Sequence, residues 1–193
     1  MMNQLQKNIK ACETCKQFLP NAPKPIFQFS AKSKIVIIGQ APGQKVHDAG
    51  IPFYDQSGKT LRRWLGVSED EFYNPDLFAI TPMGFCFPGK DKTGDLPPRP
   101  ECAPQWHTPI MKQFKNIELI LLIGKYAQDY YLEKKVKKNL TETVKHYHEY
   151  LPLYLPLVHP SPLNFRWQAN NPWFEKEVVP IIQETVKQII KNK

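Results

Sequence analysis

An α/β fold is predicted, a three-layer α/β/α sandwich around a central, mainly parallel four-stranded sheet. Three observations predict it: short apolar runs that end in glycine or in a loop, helical-period segments that alternate with them, and prolines gathered in the connections. The run Lys34-Ile35-Val36-Ile37-Ile38-Gly39 is β-branched and ends in Gly, so it reads as a buried strand feeding a loop. After Ser57-Gly58, Leu61, Trp64 and Leu65 recur at helical spacing, and Gly66 supplies the stop. Leu77 to Thr81 is the second strand, and Ile117 to Ile123, closed by Gly124, is the third. Lys125 to Leu132 is the helix behind it, and Leu155 to Val158 a short fourth strand. Phe174, Val178, Ile182, Val186 and Ile189 lie three to four residues apart and give a terminal helix with one apolar stripe.

At 193 residues and 41% hydrophobic content, the chain can bury one sizeable core, so one domain over 1–193 is expected. No apolar run approaches the roughly 20 residues of a membrane span, and MMNQLQKNIKACETC lacks the apolar stretch of a secretion signal. A cytoplasmic, membrane-free monomer is the expectation. Twenty-six Lys and Arg against 18 Asp and Glu leave a formal charge of +8, which attracts polyanions. A run such as Lys134-Lys135-Val136-Lys137-Lys138 reads equally as a solvated basic face. Prolines concentrate at Pro88, Pro97, Pro98, Pro100 and Pro104, and again at Pro152, Pro156, Pro160 and Pro162, where stiff connections are expected. Ligands of open α/β sheets bind beyond the carboxyl ends of the strands, so the loops after Gly39, Thr81 and Val158 are the ones to read for chemistry.

The first of these is Gly39-Gln40-Ala41-Pro42-Gly43, whose glycines let backbone amides approach a ligand. It lacks the Lys and Ser/Thr of a P-loop and the third glycine of a dinucleotide fingerprint. Read on to GQAPGQKVHDAGIPFYDQSGKTLRRWLGV, it resembles the first motif region of family 4 and family 5 uracil-DNA glycosylases. The resemblance makes Gly39, Ala41, Pro42 and Gly43 base-binding and Phe53 the ring that stacks on a flipped uracil. An extruded base loses its stacking partners, and a planar side chain replaces part of that energy. Family 4 has a water-activating Glu where Gln40 stands, and an amide orients water without taking its proton. Family 5 enzymes carry an Asp-x-Ser-Gly matched by Asp55-Gln56-Ser57-Gly58, so Asp55 or Gln40 is the expected water-positioning group, with His47 and Asp48 in reserve. Ser57 is placed on the DNA side.

The loop His159-Pro160-Ser161-Pro162-Leu163-Asn164 resembles the second motif of family 1 and the His-Pro-Ser of family 4. A lone His beside a strand is more often structural, but this one sits in a rigid Pro-x-Pro loop. By resemblance, His159 donates to the leaving base, Ser161 holds a phosphate and Leu163 wedges into the gap in the duplex. Asn164, Arg166 and Trp167 lie along a DNA groove or are plain surface and helix-start residues.

Cys12, Cys15, Cys86 and Cys102 make four thiols, for which a metal site is more plausible than two disulfides in a chain without a secretion signal. Family 4 has a similar arrangement holding a [4Fe-4S] cluster, and four thiolates around Zn satisfy the same spacing. The resemblance fails at one further point. Family 4 reads the uracil edge with an Asn, where this chain has Ile80-Thr81-Pro82, so either backbone groups of Met83 or Gly84 replace it or the preferred base is not uracil. The expected function is a monofunctional glycosylase of base excision repair acting on DNA with a damaged base, uracil foremost. A damaged-DNA-binding protein of weak or silent catalysis is the alternative, and an enzyme acting on a free nucleotide or base a third.

Overall fold

The four apolar runs form one sheet in the computed structural model, which describes residues 2–92 and 94–191. The strands are β1 (Ile35–Ile38), β2 (Phe78–Ile80), β3 (Leu119–Ile123) and β4 (Tyr154–Leu157). They lie in the order β2-β1-β3-β4, and each neighbouring pair is parallel. Helix α1 (Gln4–Lys10) precedes the sheet; α2 (Gln44–Ala49), α3 (Gln56–Leu65) and the single turn α4 (Glu69–Phe72) lead from β1 to β2. Helix α5 (Cys102–Met111) lies between β2 and β3, α6 (Lys125–Leu132) and α7 (Leu140–Lys145) between β3 and β4, and α8 (Phe165–Asn170) and α9 (Val179–Lys191) follow β4.

All four residues of β1 and all five of β3 are buried, as the apolar runs require of a sheet covered on both faces. Alternation along the strands divides the core in two. Ile35, Ile37, Leu119 and Leu121 face α3, α7 and α9 through Leu61, Trp64, Val144, Ile182 and Val186. Val36, Ile38, Ile120 and Leu122 face α1, α5 and α6 through Ile9, Ile110, Ala127 and Leu132. The three-layer expectation therefore holds, with a sheet that is wholly parallel.

Some boundaries differ from the expected ones. Helix α3 begins at Gln56, ahead of Ser57-Gly58, because Asp55 caps it. The apolar stripe that starts at Phe174 first runs through a π turn, Phe174–Val178, before α9 proper. Two prolines expected in connections lie inside regular elements. Pro104 is in the first turn of α5, where its missing N–H has no intrahelical partner to lose. Pro156 is in β4, at the sheet edge. The carbonyls of Leu153 and Leu157 accept from the amides of Ile120 in β3 and of Gly124 just after it, so odd-numbered residues of β4 point their backbone groups at β3. The nitrogen of Pro156 consequently faces the open side, where no ladder donor is needed.

Candidate functional site

At the carboxyl ends of β1, β2 and β4, the three loops surround a cavity of about 260 Å³. Gly39 to Gly43, Phe53, Asp55, Ser57, Pro82, His159 and Ser161 all line it, so the β1, β2 and β4 elements predicted from sequence converge. The two residues on which a base-binding reading depends, Phe53 and His159, border one space. The reserve candidates His47 and Asp48 do not line it: Asp48 accepts from the Gln44 amide along α2, and the His47 ring lies 5.9 Å from that of Phe87.

Phe53 adopts the left-handed region, φ 53°, uncommon for a bulky side chain, and the cost is of the order of ~1–3 kcal/mol. The residues after it hold that turn. Asp55 Oδ1 accepts from the Gly58 amide at 2.9 Å and caps α3. A Cβ on Gly58 would lie 1.7 Å from the Phe53 carbonyl oxygen, so only glycine lets the helix start so close. Tyr73 donates to the Pro52 carbonyl at 3.1 Å from the other side. The Asp-x-Ser-Gly element thus has a structural reason, the support of the Phe53 turn. Ser57, expected on the DNA side, is buried at the helix start.

The loop after β2 is tied to the loop after β1. Thr81, Met83 and Gly84 donate their amides to the carbonyls of Ile37, Gly39 and Gln40 at 2.9, 2.8 and 2.9 Å. Of the backbone groups expected to replace the missing edge-reading Asn, the Met83 and Gly84 amides are thus engaged within the scaffold. Behind Pro82, buried His107 bonds the Pro82 carbonyl through Nε2 at 3.0 Å, and its Nδ1 lies 2.7 Å from the Tyr131 hydroxyl. A donor at Nε2 leaves Nδ1 to accept from Tyr131. Burial pushes His107 down to about 4, so it is neutral at neutral pH.

Gln40 points its amide at the Leu96 carbonyl, 3.0 Å away. The adjacent residue, Asp95, lines the cavity, and a Cβ on Gly43 would lie 3.1 Å from its Oδ2. Asp95, Lys45 and Gln56 are cavity residues that the sequence reading missed. Asp95 lies in Gly94-Asp95-Leu96-Pro97, which signals a turn and no particular chemistry; the bond from Gln40 to its neighbour Leu96, 56 residues apart in sequence, and the close approach of Gly43 bring it to the site.

After β4, the Asn164 amide donates to the His159 carbonyl at 2.7 Å, which fixes the loop and leaves Asn164 its oxygen and one N–H for a ligand. Burial lowers the His159 imidazole below its ordinary value of 6.5, and the charges of Asp55 and Asp95 oppose the shift. Ser161 Oγ accepts from the Leu163 amide at 3.2 Å. Leu163 is 80% exposed and Phe165 62%, the two most exposed large apolar side chains among the described residues, and they stand together beside the cavity loop. Arg166 lies over the Phe165 ring at 5.7 Å. Trp167 is half-buried: it donates to Thr141 Oγ1 at 2.8 Å and packs on Trp173 and Phe174, contacts that give it a structural role in the fold.

On the opposite side of the β2 loop, Cys12, Cys15, Cys86 and Cys102 line one pocket of about 20 Å³, walled by Ile9, Leu19, Pro25, Phe85 and Trp106. None is in a disulfide. The Phe85 amide donates to Cys102 Sγ at 3.3 Å. Burial, reinforced by the neighbouring sulfurs, pushes Cys86 up to about 11 and Cys102 to about 12, so thiolates here require a cationic partner. Among the described residues no three His, Cys, Asp or Glu side chains converge as a site for a single metal ion.

Fold and site together define an α/β protein with a cavity of about 260 Å³, lined by an aromatic ring and an imidazole, at the sheet's carboxyl edge. Residues 26–183 match the family profile of the Uracil DNA glycosylase superfamily. The chain belongs to that superfamily. It is also 26% identical over 134 residues to the Type-4 uracil-DNA glycosylase of Saccharolobus solfataricus (strain ATCC 35092 / DSM 1617 / JCM 11322 / P2), an alignment that covers 65% of this chain and 56% of the relative. No helix among the described residues is long and apolar enough to cross a membrane.

Proposed function

We propose that this chain is a monofunctional DNA glycosylase that hydrolyses the N-glycosidic bond of a flipped-out deaminated base, uracil first, in base excision repair. The observation that carries the reading is that the Phe53 ring and the His159 imidazole border one cavity of about 260 Å³. Phe53 stacks on the extruded base, and the loop from Gly39 to Gly43 encloses it. Bond cleavage passes through an oxocarbenium-like sugar while negative charge grows on the base; a neutral His159 N–H stabilises that charge. Leu163, nearly free of its own fold, fills the gap left in the duplex, Ser161 and Arg166 meet phosphates, and the excess of positive charge draws the chain to DNA as a cytoplasmic monomer.

The four cysteines are assigned to a [4Fe-4S] cluster. Three segments of chain turn their sulfurs into one apolar pocket, and the Phe85 amide points at one of them. Four thiolates around zinc, each at about 2.3 Å, are the competing assignment, and the metal content of the protein separates the two. When bound, the cluster joins the N-terminal segment to the β2–α5 chain. Freshly purified protein is expected to be brown, and colourless protein with one zinc per chain replaces the assignment.

The experiment for the function incubates the protein with single- and double-stranded oligonucleotides carrying uracil, hypoxanthine or xanthine, followed by alkali. Strand breaks that need the alkali support a monofunctional glycosylase. Intact strands with every base end the proposal and favour the second reading, a damaged-DNA-binding protein, for which Pro82 and the tied Gln40 amide speak. Because Lys45 also lines the cavity, borohydride trapping of protein on DNA would mark amine attack and refute the monofunctional part.

A further inference from the structure

We propose that Asp95 is the catalytic carboxylate of this site, orienting the attacking water and accepting its proton, and that Gln40 is the positioning residue that holds it there. The assignment rests on the glycosylase reading and names a residue that the superfamily resemblance did not supply.

Four carboxylate or amide side chains border the cavity, Gln40, Asp55, Gln56 and Asp95, and the engagements of Gln40, Asp55 and Asp95 differ. Gln40 has no ionisable group, and its Nε2 is committed to the Leu96 carbonyl at 3.0 Å. Asp55 is a carboxylate, but Oδ1 caps α3 through Gly58, so turning it towards water would release the Phe53 turn. Asp95 has no such commitment. Its ion-pair partner is Lys90, with Nζ 3.8 Å from Oδ1, and the two side chains are 57% and 39% exposed, a pair of little energetic weight. Its Oδ2 lies over Gly43, where any side chain would crowd it at 3.1 Å.

The backbone presents Asp95 deliberately. Lys90 and Asp95 form an antiparallel bridge, the Leu96 amide donates to Gly89 at 2.9 Å, and the Gln40 strap joins this turn to the end of β1. Gln40 therefore occupies the position of the expected water-activating acid yet acts through its neighbour's neighbour. Asp95 and His159 line the same cavity.

The step balances without a further reagent. The water oxygen bonds to C1′ of the deoxyribose as the C1′–N bond breaks, and the bonding pair leaves with the base. One water proton passes to Asp95 Oδ2 and from there to solvent, where the base anion is protonated. The products are an abasic site and a free base.

The test compares single-turnover cleavage of a uracil oligonucleotide by wild type, Asp95→Asn, Asp55→Asn and Gln40→Ala, with binding to an abasic-analogue duplex and thermal unfolding measured on each. Asp95→Asn is expected to slow cleavage by about 100-fold or more, with binding within about twofold and unfolding unchanged. Gln40→Ala should slow cleavage by about tenfold without weakening binding, whereas Asp55→Asn should lower the unfolding midpoint as well as the rate. Wild-type cleavage that survives Asp95→Asn within about threefold overturns this assignment alone. A wild type inactive on every base of the panel described above overturns the glycosylase reading and this assignment with it.

Discussion

The chain from Pro82 to Cys102 serves two sites of opposite character. On one side it lends Pro82 and Asp95 to a cavity of about 260 Å³, with a carboxylate and an imidazole on its wall. On the other it lends Cys86 and Cys102 to a pocket of about 20 Å³ walled by apolar side chains. The first has room for a guest and polar groups to meet it; the second is narrow and apolar, suited to holding the segment in place. The difference teaches that one proline-rich segment can carry a polar face and an apolar face back to back.

If the two sides divide the work in this way, His159→Ala should give the largest change: about 10²–10³ off the cleavage rate, measured in single turnover, with the unfolding midpoint unmoved. A parallel loss of stability would erase the distinction between the sites. Cys102→Ser should do the reverse, lowering unfolding free energy by about 3 kcal/mol in a urea titration, with activity following only through the loosened segment. Unchanged stability would mean that the cysteines are not a staple.

Acid sharpens the comparison through the residue that joins the sides. The His107 imidazole titrates near its ordinary 6.5 in the unfolded chain and near 4 when folded, so the native state refuses a proton that the unfolded state accepts. Stability from this group is complete above pH 6.5, declines as pH falls and reaches its full loss, about 3 kcal/mol, below pH 4. Urea titrations at a series of pH values should show that slope, and His107→Gln should flatten it; an unaltered slope assigns the acid loss elsewhere. The smallest effect is expected from Leu163→Ala, about three- to tenfold slower cleavage of duplex and little change on single strands, because only a duplex leaves a gap to fill. Equal effects on both substrates would remove the wedge role.

The strands were legible because a parallel sheet covered on both faces writes itself as unbroken apolar runs: β1, β3 and β4 fall within two residues of the expected limits. The stripe from Phe174 to Ile189 was equally readable, although not the π turn at its start. Helix α1 was not, because Ile9 is its one fully buried residue and no stripe forms, and α5 was hidden by Pro104 and Pro109. At the site, Phe53 and His159 stand in local motifs with recognisable chemistry. Asp95 and His107 do not: each acquires its setting from long-range contacts, with Gly43 and Pro82 respectively, that local pattern does not encode.

Pro156 has one more effect, on solubility under stress. A strand at the margin of a sheet invites a second chain to align along it, and this margin carries a ring where an amide would otherwise recruit a carbonyl. The opposite margin is already occupied, since Gln28 and Ile80 exchange backbone hydrogen bonds at 3.0 and 2.6 Å. Crowded or warmed protein thus meets an interrupted template on one flank and a filled one on the other, and strand-by-strand aggregation finds no clean starting line.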